Sequence, residues 1–142
     1  MLVEFVYAHD MTLDEVLQAL KDHPNDLKLL QKAGELFQRR GDDKSAAKYF
    51  AQIADLYTRD GYQLKAVALL KQVLRLDPDL IDILAQLATI HISLGLDDEA
   101  NSYFLRARIA FLRAGRRNDA LEMERRLAER SIELGSQPIA RA

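Results

Sequence analysis

Apolar residues recur at helical spacing through most of this chain, and the breaks between the runs fall on glycine or proline. The clearest run is Gly61 to Pro78, GYQLKAVALLKQVLRLDP. Ala66, Val67, Leu69, Leu70, Val73 and Leu74 fall on one face of a 3.6-residue helix, and Lys65, Ala68, Lys71, Gln72 and Arg75 on the other. Gly61 is placed to end the preceding helix in a left-handed turn. Asp77-Pro78 is placed to stop this helix and open the next, with Asp77 as N-cap and Pro78 at the first helical position.

The same pattern predicts seven helices, and no strand after residue 9. The first spans 13–22, opened by the capping box Thr12/Glu15 and ended by His23-Pro24. The second spans 26–39, with Leu27, Leu30, Ala33 and Phe37 inward and Gly41 as its stop. The third spans 43–59, opened by Asp42-Asp43, and the fourth is the run above. The fifth spans 79–94, with Leu80, Ile83, Leu84, Leu87, Ala88 and His91 inward. The sixth spans 97–114, with Asp97, Asp98 and Glu99 in its first turn, where the helix dipole favours acids. The seventh spans 117–134 and is closed by Gly135. The organisation expected is an extended segment over 1–11, a helical domain over 12–135 and a flexible tail over 136–142. The extended start is apolar enough to lie on the domain or pair with another chain.

A shift of 54 residues superimposes the punctuation: Pro24 on Pro78, Gly41 on Gly95, Gly61 on Gly115, Ala46 on Ala100, Phe50 on Phe104 and Ala66 on Ala120. Self-similarity of this kind marks stacked helical units, here two units of three helices. The residues that carry it resemble the tetratricopeptide repeat family. Leu30, Ala33, Gly34, Phe37, Gly41, Ala46 and Phe50 match its pattern in the first unit. Leu84, Leu87, Ala88, Gly95, Ala100, Phe104 and Ala107 match in the second, with His91 at the aromatic place. A further frame, with the third helix first, is matched by Phe50, Ile53, Ala54, Tyr57, Gly61, Ala66 and Pro78.

The resemblance implies an all-α, right-handed α-α superhelix of helical hairpins, and a non-catalytic adaptor or scaffold that binds a peptide, helix or protein surface. It points to bacterial adaptor proteins, some tied to cell polarity and motility, and to a cytoplasmic location. Two alternatives stand beside it: a self-associating, homodimeric structural protein, and a regulatory nucleic-acid binder. One branch of the family grips C-terminal carboxylates with Lys and Asn on its groove-facing helices. Gln31, Glu35, Ala85 and Thr89 hold those places here, so that clamp is missing.

Composition narrows the classes. Apolar residues make up 49% and charged residues 30%, as in a folded, water-soluble domain, and the formal charge is −2. Residues 1–99 carry 11 Lys+Arg against 17 Asp+Glu, while residues 100–142 carry 9 Arg against 5 Asp+Glu. With no cysteine, disulfides and thiolate metal sites are excluded. The start, MLVEFVYAHDM, has no basic region and is a poor signal peptide. No run approaches the 18 or more apolar residues of a membrane span.

Candidate chemistry is sparse. His9, His23 and His91 have no second histidine at i+3 or i+4, so no helical metal pair forms. The glycines are helix ends, not a phosphate loop, and no G-x-S-x-G is present. Neither an enzyme nor a cofactor is expected. Arg116-Arg117 and Arg125-Arg126 are the candidate phosphate contacts, but Asp119, Glu122, Glu124 and Glu129 interleave with them.

Departures from the repeat are more informative. Arg108 takes a place normally small, and Glu124 takes the place of Leu70, so the two are expected to pair, in bidentate fashion, between the sixth and seventh helices. The sixth helix carries its core face on Ala100, Tyr103, Phe104, Ala107 and Phe111. It also carries a second apolar stripe, Leu105, Ile109 and Leu112, where the first unit has Ala51, Asp55 and Thr58. Arg106 and Arg113 flank that stripe on one side and Arg108 on the other, which makes these six residues the candidate partner site. Three covers are open for it: the seventh helix, the terminal segments around residues 2–7 and Ile139, or another protein or a second copy.

Overall fold

A computed structural model describes residues 10–136, with side chains to Ser131. Seven helices follow one another: α1 (Leu13–Asp22), α2 (Leu27–Arg39), α3 (Asp43–Arg59), α4 (Gln63–Leu76), α5 (Asp82–Ser93), α6 (Asp97–Arg113) and α7 (Arg117–Ser136). Among the described residues there is no strand. The segment expected to be extended and the terminal tail lie outside the described residues, apart from Ser136, which ends α7. Two compact units divide between Leu80 and Ile81. In the first, α1 packs on α2, α2 on α3 and α3 on α4; in the second, α5 packs on α6 and α6 on α7.

The turns explain the order. Gly41, Gly61, Gly95 and Gly115 all have positive φ, between 73° and 85°. Each amide bonds back to a carbonyl three residues earlier, and the next amide bonds to one five residues earlier: Gly41 to Gln38 and Asp42 to Phe37, Gly95 to Ile92 and Leu96 to His91. This is the Schellman pattern, which satisfies the last carbonyls of a helix through a left-handed residue. The next helix begins at once, and its first intrahelical bond comes from a buried alanine: Ala46, Ala66, Ala100 or Ala120. A side chain no larger than methyl at that place lets consecutive helices approach closely.

Side-chain caps open α1, α2 and α3, while α4, α5 and α6 start without one. The Thr12 Oγ1 accepts from the Glu15 amide at 3.3 Å, and the Thr12 hydroxyl donates to Glu15 Oε1. The Asp42 carboxylate accepts from both the amide and the hydroxyl of Ser45, which holds its pKa below the ordinary aspartate value.

One start differs from expectation. Asp77 does not cap α5; it ends α4, its amide bonded to Val73 O, and its buried carboxylate accepts from the Asp79 amide in a local turn. The turn after His23 has the same backbone bond, Asp26 amide to His23 O, and there Asp26 caps α2 through the Lys28 and Leu29 amides. Leu80 stands in the place of Asp26 and has no oxygen to offer, so α5 starts only at Asp82 and has no side-chain cap. Leu80 is therefore half-buried in the turn, outside the helical face assigned to it. Leu27, expected inward, is 38% exposed at the first position of α2, where the chain is still entering the packed layer. At the far end α7 runs through Gly135 to Ser136, because glycine permits a left-handed stop without compelling one.

Both cores set large aromatics among small residues. Phe50 and Phe104 are the largest fully buried side chains, and Ala46, Ala47 and Ala54 on α3, like Ala100 and Ala107 on α6, are fully buried beside them in sequence. A Cβ added to Gly34 would lie 2.5 Å from the Phe50 ring, so α2 and α3 meet over a hydrogen atom.

Candidate functional site

The stripe on α6 lies open in the described structure. Leu105 is 48% exposed, Ile109 45% and Leu112 47%, while Ala100, Phe104, Ala107 and Phe111 on the core face are all buried. The helix is therefore apolar on two faces, and among the described residues only one is buried. At 1.5 Å rise per residue the row from Leu105 to Leu112 is about 10 Å long. Of the three covers weighed from the sequence, α7 does not enclose it; residues 2–7 and Ile139 fall outside the described residues.

α7 packs beside the stripe without covering it because its contacts with α6 are polar at that edge. The Arg108 Nε donates to Glu124 Oε1 at 2.6 Å, the pairing expected from the two departures. It is a single hydrogen bond between side chains 37% and 44% exposed, not the enclosed bidentate pair expected, so desolvation costs little. The pair also removes Arg108 from the free basic rim. Leu121, on the outer side of α7, is 59% exposed.

Three other arginines of the second unit, Arg116, Arg126 and Arg130, reach from one helix or turn to another. Arg116 forks onto Asp82 with Nη1 and Nη2 at 2.9 and 2.8 Å, and its Nε donates to Asp119 at 2.7 Å. The hydrogen bonds from Arg116 hold the Asp82 carboxyl below its ordinary pKa, and the two acids push the guanidinium up in turn. Arg116 also lies over the Phe111 ring, and Arg126 over Phe104 while donating to Thr89 at 3.1 Å. Arg125 is held between Glu122 and Glu129, which lowers the Glu122 pKa. The residue that sequence reasoning missed is Arg130, buried between α7 and α6 on Asn101 and Asp97. Its signal was its phase: Ala120, Met123, Leu127 and Arg130 share the inner face of one helix.

After these pairs, Arg106, Arg113 and Arg117 have no acidic partner among the described residues; Arg106 lies over the Tyr103 ring. Residues 100–118 hold five arginines and no Asp or Glu, whereas the equivalent stretch 46–64 holds two basic and two acidic residues. The six predicted site residues are thus one apolar row, two cations with no acidic partner among the described residues on one flank, and one paired arginine on the other.

His91 is buried, and its Nδ1–H donates to the Leu87 carbonyl at 2.6 Å while its ring lies 5.0 Å from that of Tyr103. It packs as the repeat's aromatic does. Among the described residues no three His, Asp or Glu side chains converge as metal ligands, and no helix is long and apolar enough to cross a membrane.

Comparison with known proteins gives one family match and several loose structural alignments. No curated protein matches the chain. Among solved structures, the crystal structure of MamA aligns over 88% of this chain and 90% of its own, at 16% identity and a TM-score of 0.45. YrrB, described as a TPR protein with an unusual peptide-binding site, aligns over 86% of this chain and 77% of its own, at 17% identity and a TM-score of 0.42. A thermophilic TPR protein of Thermus thermophilus aligns over 82% of this chain and 80% of its own, at 17% identity and a TM-score of 0.33. These alignments are loose and say nothing of ligand or partner. The family described as tetratricopeptide repeat matches residues 47–80. That is the frame with α3 as first helix and α4 as second, carried by Phe50, Ile53, Ala54, Tyr57, Gly61, Ala66 and Pro78. The chain therefore carries a tetratricopeptide repeat, built from α3 and α4 and closed by the turn at Asp77-Pro78.

Proposed function

We propose that this protein is a non-catalytic interaction module that engages another protein through the outer face of α6. The observation that carries the reading is the row Leu105, Ile109 and Leu112, which is exposed among the described residues. Three large apolar side chains on one helix face, half open to water, lose solvation free energy that a partner surface recovers on docking. Arg106 and Arg113 edge the row, and Arg108 is fixed beside it by Glu124. The nucleic-acid alternative is weakened by the same geometry. Arg116, Arg125 and Arg126, three of the four arginines suited to phosphates, are engaged by Asp82, Asp119, Glu122, Glu129 and Thr89.

The test is an affinity capture from the source cell with wild-type protein and a Leu105→Glu/Ile109→Glu variant, circular dichroism confirming that both are folded. The expected outcome is a partner retained by wild type and lost by the variant. Equal capture by both would remove α6 from the interaction. A titration with a single-stranded oligonucleotide at two salt concentrations checks the alternative, since phosphate contacts give a steep salt slope.

A further inference from the structure

We infer that the occupant of the α6 face is an acidic amphipathic helix of another protein, with apolar anchors on the row and carboxylates on the arginines. This rests on the interaction reading above and gives its partner a chemistry. The argument is charge complementarity. Arg106 and Arg113 lie seven residues apart, two turns along the same helix, and run beside the row from Leu105 to Leu112. Arg117 opens α7 just beyond the turn at Gly115. None of the three has an acidic partner among the described residues, although every other arginine from 108 to 130 does, or is held by a hydroxyl and a ring. Glu124 is taken up by Arg108 on the opposite flank, and the fold engages other acids of the second unit away from the row: Asp97 on Arg130, Asp82 and Asp119 on Arg116, Glu122 and Glu129 on Arg125.

The apolar row and the unneutralised cations therefore share one patch. A second copy of this chain fits it poorly, because an isologous contact would bring Arg106, Arg113 and Arg117, none with an acidic partner among the described residues, towards the same cations of the other copy. A helix suits the row because anchors at i, i+4 and i+7 fit the spacing of a facing helix, and two to three turns match its length of about 10 Å. Acids on the flank of that helix would steer its approach and fix its direction.

The experiment uses the full-length ¹⁵N-labelled chain and two designed, end-capped helical peptides of about 16 residues, a length sufficient for four turns. Both carry Leu at i, i+3, i+4 and i+7; one has Glu on the flanks and the other Lys. The expected result is saturable shifts of amide resonances across residues 102–117 with the Glu peptide, at least tenfold weaker with the Lys peptide and weaker at high salt. Arg106→Glu/Arg113→Glu should reverse the preference, which a merely unfolded variant would not do. Equal binding of both peptides, or no preference reversal, overturns the acidic-helix assignment while leaving α6 a protein-binding face. A doubled mass by light scattering that Leu105→Glu abolishes, with neither peptide bound, would make a second copy the occupant. If instead Leu105→Glu shifts the resonances of residues 1–9 or 132–142 and neither peptide binds, the chain's own terminus covers the face, and the interaction reading falls with the proposal.

Discussion

α3 and α6 are both 17 residues long and start 54 residues apart, yet they meet the next helix by different means. Between α3 and α4 the contact is apolar: Ala54 and Leu70 are both buried, at 0% and 1% exposure. Between α6 and α7 the same two places hold Arg108 and Glu124, hydrogen-bonded at 2.6 Å and half in water. Leu76 at the end of α4 is matched by Arg130, buried on Asp97 and Asn101. The stacked Phe37–Tyr49 pair is matched by His91 against Tyr103, with a carbonyl satisfying the histidine. The backbone geometry survives because the glycine turns and small residues that set it are retained. The comparison teaches that side-chain identity across a helix pair is negotiable once the turns are fixed. What changes is the surface: α6 shows an apolar row where α3 shows Ala51, Asp55 and Thr58.

The sharpest way to break this comparison is to truncate the apolar side of it. Leu70→Ala should cost about 2–5 kcal/mol, because the methyl groups removed leave a cavity in a closed contact. Glu124→Leu, which gives α7 the α4 residue, should change stability by no more than about 1 kcal/mol, since the pair it breaks is solvated. Urea unfolding followed by circular dichroism measures both. If the two changes were equal in size, the two helix pairs would be held by the same kind of contact.

Next in size is the close approach of α2 and α3 at Gly34. Gly34→Ala should destabilise by about 1–3 kcal/mol, as a methyl meets the Phe50 ring and the helices must part. The second unit has Ala88 against Phe104 in the same places, both fully buried, so α5 and α6 already accommodate that methyl. Ala88→Gly should cost about 1 kcal/mol through helix propensity and the lost methyl. A neutral Gly34→Ala would show that the Phe50 ring yields freely.

Acid titration probes the second unit through Asp82. The Arg116 fork lowers the Asp82 pKa from its ordinary value, so the folded chain holds fewer protons there than the unfolded one. That contribution is complete above about pH 4, the unfolded carboxylate range, and disappears as pH falls through the lowered folded value. Asp82→Asn should therefore lower stability at neutral pH and flatten its decline below about pH 4. An unchanged acid limb, measured by urea midpoints from about pH 2 to pH 7, would show that the fork does not couple to folding.

The smallest expected change is on the stripe itself. Leu105→Glu should alter stability by less than about 0.5 kcal/mol, because the side chain already faces water. Loss of cooperative unfolding in that variant would place Leu105 in the core.

The sequence by itself determined the helices, their order and most of their ends, because those depend on local terms: the 3.6-residue apolar period, glycine in a left-handed turn, and an oxygen at the N-cap. It also determined that α6 has two apolar faces and that Arg108 and Glu124 are each out of place alone. Where it misread, the deciding term was a missing or redirected side chain. Leu80 offers no cap where Asp26 does, so α5 starts late, and Asp77 turns its carboxylate into its own loop. The 54-residue match already named the core face of α6; tertiary structure alone decided that α7 does not enclose the second one. It decided that Arg130 is inside, and which arginines are engaged by the fold and which remain free. Such choices depend on the distance between groups remote in sequence, and periodicity along one helix carries no information about what stands opposite it.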